Sequence, residues 1–201
     1  MNELFPFAYI AKGMLEKKIS EEDDMVFGST QQSRWSYACS KAIDEFLALA
    51  YFRERGLPVV VARLFNTVGP RQVGRYGMVL PRFVRQALSG GPITVFGDGR
   101  HTRDFPFIGD IVDACSAAVK VGRPGEVYNI GGGHQEKLSA LFPLLEDICR
   151  RRIQITCQAE QKGDVPHTSA DISKAGRELG YSPRTVLREG LEAEWDWIRH
   201  L

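Results

Sequence analysis

The chain has 201 residues, enough for one substantial domain or two small ones. With 43% hydrophobic residues, 25% charged residues and a formal net charge of +1, it has the make-up of an ordinary globular protein. There is no basic surplus for nucleic acid or for an anionic membrane. Cys39, Cys115, Cys149 and Cys157 form no C-x-x-C pair, and His101, His134, His167 and His200 are equally scattered. Buried free thiols in a reducing compartment are therefore expected, and neither a disulfide framework nor a metal site is.

In chain order, residues 1–30 show no clean periodicity. "LFPFAYIA" is too short, and too interrupted by Pro6, for a signal peptide or a membrane span. "EKKISEEDD" reads as a charged surface segment. Apolar residues then fall at Cys39, Ala42, Ile43, Phe46, Leu47, Ala50 and Tyr51, the stripe of a helix packed on a core. Gly56 and Pro58 stop it, and "PVVVARLF" follows as a buried strand. "NTVGPRQVGRYG" is a loop. "MVLPRFVRQALSGG" is a helix starting near Pro81 and stopping at Gly90 and Gly91, and "PITVFGDG" is a strand ending in a tight turn. "FIGDIVDACSAAVKVG" turns from extended to helical, "GEVYNIGGG" is a strand ending in glycines, and "LSALFPLLEDICRRR" is a helix with Pro143 in its first turns or at a kink. "IQITCQAE" is a strand, and two helices, "ISKAGRELGY" and "VLREGLEAEWDWIRHL", close the chain. Strands alternating with helices make the class α/β.

Tyr37 and Lys41, in "RWSYACSK", are four residues apart and share one helical face. A free phenol titrates near ~10 and is a poor base at neutral pH, and a neighbouring ammonium favours the phenolate. The pair thus reads as a proton-transfer site, or more simply as a helix start with a surface lysine. Gly131 to Gly133 read as strand-end turn glycines, since neither G-x-G-x-x-G nor a Walker-type loop occurs in the sequence.

Six stretches in order, "RWSYACSKAIDEF", "VARLFNTVGPRQ", "GRYGMVLPRFVRQAL", "PITVFGDGRHTRDF", "YNIGGG" and "GDVPHTSADISKAGRELGY", resemble the extended short-chain dehydrogenase/reductases of the nucleotide-sugar epimerase/dehydratase type. The resemblance implies a partial NAD(P)-binding Rossmann-like fold, residues 31–75 and 101–133, with a small α/β substrate-binding subdomain, residues 76–100 and 134–201. Residues 1–30 are an atypical N-terminal segment. It also implies NAD as cofactor, a UDP- or dTDP-linked sugar as substrate, and a reaction through a 4-keto sugar. A UDP-sugar 4-epimerase is favoured over a UDP-glucuronate decarboxylase or a dTDP-glucose 4,6-dehydratase. Tyr37 and Lys41 match the catalytic pair, and the lysine also holds the nicotinamide ribose. Asn66 and Arg103 match contacts to the sugar diphosphate, Val95 and Phe96 the strand beside the base, and Asp164 a residue near the nucleotide ribose. Read without the family, these are a turn asparagine, a surface arginine, two core residues and an aspartate at a helix start.

The chain departs from the family in two places. No glycine-rich dinucleotide turn is found, and "FAYIAKGMLEKK" replaces the T-S-x-x-V-Y-G pattern; Ser29, Thr30 and Ser33 lie too close to Tyr37 to substitute for it. Gln161, followed by Lys162, stands where relatives carry an arginine. The expectation is a truncated or split protein that binds NAD poorly alone, and whose activity is open. It would work in the cytoplasm, as a homodimer or with a complementing N-terminal half. The reading of another class is an inactive fragment that binds a nucleotide sugar or a full-length partner.

Overall fold

A computed structural model gives the architecture and describes residues 17–32, 34–74, 78–160 and 165–201. Helix α1, Arg34–Arg55, runs into strand β1, Val61–Leu64. Gly56 turns the chain between them at a φ of 67°, a left-handed value that glycine adopts without a Cβ clash. Helix α2, Val79–Ser89, carries Pro81 in its first turn, where the missing N–H costs no helical hydrogen bond. Strands β2, Ile93–Phe96, and β3, Thr102–Arg103, precede helix α3, Ile108–Val121. Then come β4, Val127–Ile130, β5, Glu136–Lys137, and α4, Leu141–Cys149, with Pro143 in its first turn. Strand β6, Ile155–Gln158, and helices α5, Ser173–Leu179, and α6, Leu187–Ile198, complete the order.

The strands pair across long stretches of sequence. β1 lies parallel to β4, with Val61 opposite Val127 and Leu64 opposite Ile130. β2 lies parallel to β6, and β3 pairs antiparallel with β5. Parallel pairs need crossover connections, and here helices supply them. α3 and α5 share one core with β4, built on Ile111, Ala114, Tyr128, Ile130, Ala175 and Leu179. α2, α4 and α6 share another with β2, including Phe83, Ile93, Val95, Leu141, Leu145 and Leu191.

Two expectations from periodicity change on folding. The face of α1 that is buried runs through Trp35, Ala42 and Glu45, so that of the apolar stripe only Ala42 is fully buried. Ile43, Phe46, Leu47 and Tyr51 are each more than half exposed. The reason is electrostatic: Arg63 of β1 meets Glu45 in a two-pronged ion pair of 2.6 and 3.0 Å, which fixes the rotation of the helix. Likewise, the charged run after residue 16 is not merely surface. Ile19 is buried, its N–H donates to the Ser169 carbonyl at 2.8 Å, and its carbonyl accepts from Asp171 N at 2.8 Å and Asn129 Nδ2 at 2.9 Å. Among the described residues no helix is long and apolar enough to cross a membrane.

Candidate active site

Tyr37 and Lys41 lie on the first two turns of α1, both half-buried, with the Lys41 ammonium 5.9 Å from the centre of the Tyr37 ring. A cation at that distance from an aromatic face is electrostatically attracted to it. Lys41 also donates to Asp44 Oδ2 at 2.9 Å, and the hydroxyl of Ser40 donates to the Tyr37 carbonyl at 2.7 Å. A phenol and an ammonium on one accessible face form a donor set suited to sugar and ribose hydroxyls.

Asn66 follows β1 and is buried, and its Oδ1 has no hydrogen-bond partner among the described residues. Such a buried acceptor is costly unless something satisfies it. Next to it, Thr67 Oγ1 donates to the Phe65 carbonyl and Gln72 Nε2 to the Thr67 carbonyl, which draws "NTVGPRQ" into a compact loop.

Val95 and Phe96 point opposite ways, as successive strand residues must. Val95 is sealed in the core of α2, α4 and α6. Phe96 is half-buried on the other face, so its ring, and only the backbone of Val95, is presented beyond the core. Arg103 Nη1 donates to the carbonyls of Thr102 at 2.9 Å and Pro166 at 3.3 Å, which anchors the guanidinium beside the chain leading into 165–170. Asp164, Gln161 and Lys162 lie outside the described residues, as do Ser33 and residues 1–16.

The structure also shows residues that motif reading passed over. Asp104, the neighbour of Arg103, is fully buried and accepts hydrogen bonds from the backbone N–H groups of Gly132, Gly133 and Ala170. Burial pushes its carboxyl above the usual range, outweighing the N–H groups that favour the anion. Gly131 to Gly133 therefore cradle a carboxylate of the chain itself. A Cβ on Gly132 would stand 2.9 Å from Asp104 Oδ1, which requires glycine there. His101, also buried, pairs with Glu160 at 2.8 Å and ties the turn after β2 to the end of β6. Arg82 of α2 stacks on Phe96, its guanidinium carbon 4.9 Å from the ring centre. The sequence signal for Asp104 was its place beside Arg103; Arg82 gave none, because a lone arginine on a helix reads as solvent-facing.

Comparison with known proteins places this geometry in context. Residues 13–131 match the NAD dependent epimerase/dehydratase family. The UDP-N-acetyl-alpha-D-glucosaminuronate decarboxylase of Bacillus cytotoxicus is 33% identical over 90% of this chain and 59% of its own length. The dTDP-glucose 4,6-dehydratase of an Actinoplanes species is 36% identical over 88% of this chain and 58% of its own length. Among solved structures, UDP-glucuronic acid 4-epimerase from Bacillus cereus, in complex with UDP-glucuronic acid and NAD, superposes with a TM-score of 0.87 at 34% identity. The match covers 98% of this chain and 60% of that one. The chain thus spans under two thirds of the length of these relatives.

Proposed function

The chain belongs to the NAD-dependent epimerase/dehydratase family, and on that premise we propose that it serves a nucleotide-sugar 4-epimerase-type reaction through a 4-keto sugar. The observation that carries the reading is the half-buried Tyr37 and Lys41 pair on one face of α1. In this reading Tyr37 Oη takes the proton from the sugar 4-hydroxyl as general base and returns it on reduction. The Lys41 ammonium favours the phenolate and would hold the nicotinamide ribose. NAD, when bound, accepts a hydride from the sugar and gives it back. Asn66 and Arg103 would grip the diphosphate, Arg103 through its planar fork, with Phe96 beside the base and Asp164 near the nucleotide ribose. A uridine diphosphate sugar is favoured because the Bacillus cereus epimerase, at 34% identity, binds UDP-glucuronic acid.

A decarboxylase or 4,6-dehydratase outcome is the second reading, supported by the identity to relatives of those two types. The reading extends to a partner, either a second copy or a dinucleotide-binding half, for which Ile43, Phe46, Leu47 and Tyr51 offer apolar surface. The cytoplasm is the proposed compartment.

The test is turnover of UDP-glucuronic acid and UDP-glucose with NAD, by the protein alone and with the N-terminal half of a relative. The 4-epimer is expected, and Tyr37→Phe should lower its rate by about 100- to 10,000-fold. An active Tyr37→Phe variant refutes the assigned pair.

A further inference from the structure

Glu194 of α6 is a carboxylate with no exposed surface, and the proposed chemistry gives it no part. A carboxylate taken out of water is costly unless donors meet it. One donor is the backbone N–H of Gly69, which reaches Glu194 Oε2 at 3.2 Å across 125 positions of sequence. Gly69 lies shortly after Asn66, in the loop that closes on Gln72. One helical turn before Glu194, Gly190 lets the same loop approach: a Cβ there would stand 2.9 Å from Val68 Cγ1. On the loop's other side, the Val68 N–H donates to the Pro106 carbonyl and the Ile108 N–H to the Val68 carbonyl, both at 2.9 Å. Gly69 itself has a φ of 139°, and a Cβ on it would stand 2.6 Å from Ile108 Cγ2. The loop is thus pinned between the start of α3 and α6, with Glu194 as an anchor on the α6 side.

We propose that Glu194 is a positioning residue for Asn66: by holding the Gly69 N–H it fixes the loop that aims the Asn66 amide at the ligand's diphosphate. The inference rests on the nucleotide-sugar reading above and adds to it a residue that touches neither sugar nor cofactor. Asn66 is only 8% exposed, and its Oδ1 has no partner among the described residues. An amide whose oxygen is not tied down takes its direction from the backbone that carries it. That backbone runs directly into Thr67, Val68 and Gly69, the stretch that α6 and the start of α3 grip. The amide nitrogen is a donor and phosphate oxygens are acceptors, so the contact depends on where the donor points. A misplacement of about 1 Å, even from a change away from the contact, is enough to lose most of it. An ionised acceptor binds a backbone N–H more strongly than a neutral one, which suits a carboxylate to this anchoring task.

The experiment is calorimetric titration with UDP of the parent, Glu194→Leu, Glu194→Gln, Asn66→Ala and the Asn66→Ala/Glu194→Leu double variant, with thermal melts as the check on folding. Glu194→Leu removes the acceptor and should weaken UDP binding by about ten-fold. Glu194→Gln keeps an oxygen for the Gly69 N–H and should stay within about three-fold of the parent. Asn66→Ala should weaken UDP binding by about ten-fold on its own. In that background Glu194→Leu should cost less than about two-fold more, because there is no amide left to position. If Glu194→Leu melts early, Glu194→Asp, which keeps the charge but draws the acceptor back by one methylene, carries the test with the same expected pattern. Losses that multiply in the double variant would show general support of the fold and overturn the proposal. A glutamine variant as weak as the leucine one, or unchanged UDP affinity in Glu194→Leu or Asn66→Ala, would overturn it too. A parent that binds no UDP overturns the nucleotide-sugar reading itself, and this inference with it.

Discussion

Two helices with similar apolar patterning end up in opposite situations. α2 places Leu80, Phe83, Val84 and Ala87 in a closed core with α4 and α6, each at most 1% exposed. α1 leaves Ile43, Phe46, Leu47 and Tyr51 on the outside and buries a glutamate instead. A helical period states which side chains share a face. It does not state what covers that face. On α1 the decision falls to the Glu45–Arg63 pair, whose two side chains are each only 9% exposed.

Three substitutions probe this contrast. Removing one partner of a buried ion pair leaves the other charge uncompensated, so Glu45→Ala should destabilise the protein by about 3–5 kcal/mol, read from urea unfolding. A loss below about 1 kcal/mol would mean that α1 is held by other contacts. Asp104 should give a smaller, pH-dependent effect. Its folded carboxyl titrates above the ordinary 3.8, so the folded state holds the proton over a range where the unfolded chain has released it. The stability it contributes is complete below that ordinary value and is lost as pH rises through the raised one, at about 1.4 kcal/mol for each pH unit that separates the two. Asp104→Asn cannot titrate there. The difference in unfolding free energy between parent and Asp104→Asn should therefore shrink as pH is raised from about 4 to about 7. A difference that widens instead would show that the three N–H donors outweigh burial. Least of all, Phe46→Ser on the open face of α1 should shift stability by no more than about 0.5 kcal/mol in the isolated protein. A larger loss would mean that a partner already covers that face in solution.

Much of the fold was legible because its elements carry their own punctuation. The stops at Gly56 and Gly90 and the β-branched run before Leu64 place a helix and a strand without any tertiary knowledge. α2 begins two residues before Pro81, because a proline fits inside a first turn. The role of Ile19 was hidden. A single apolar residue in a charged run gives no period, and its burial depends on Asn129 and Ser169, far along the chain. In the candidate site, Tyr37, Lys41, Asn66 and Arg103 could be named from motifs, because motif positions travel with the family. The opposite facing of Val95 and Phe96 follows from strand geometry, but which of the two turns inward depends on the helices packed against β2. Arg82 was out of reach, since its contact is with a ring fourteen positions away and no acid among the described residues offsets its burial.

The register of the sheets has a consequence for synthesis. Val61–Leu64 finds its parallel partner in Val127–Ile130, and Ile93–Phe96 in Ile155–Gln158. At ~5–20 residues per second, the first strand must wait roughly 3 to 13 seconds on the ribosome before its partner has been made. During that interval the edge of β1 is uncovered, while Glu45 and Arg63 are already present to meet each other. The early ion pair then acts as a clasp in time. Its two partners are separated by only 18 positions, so the helix–strand contact can close before the parallel partner of β1 has been made.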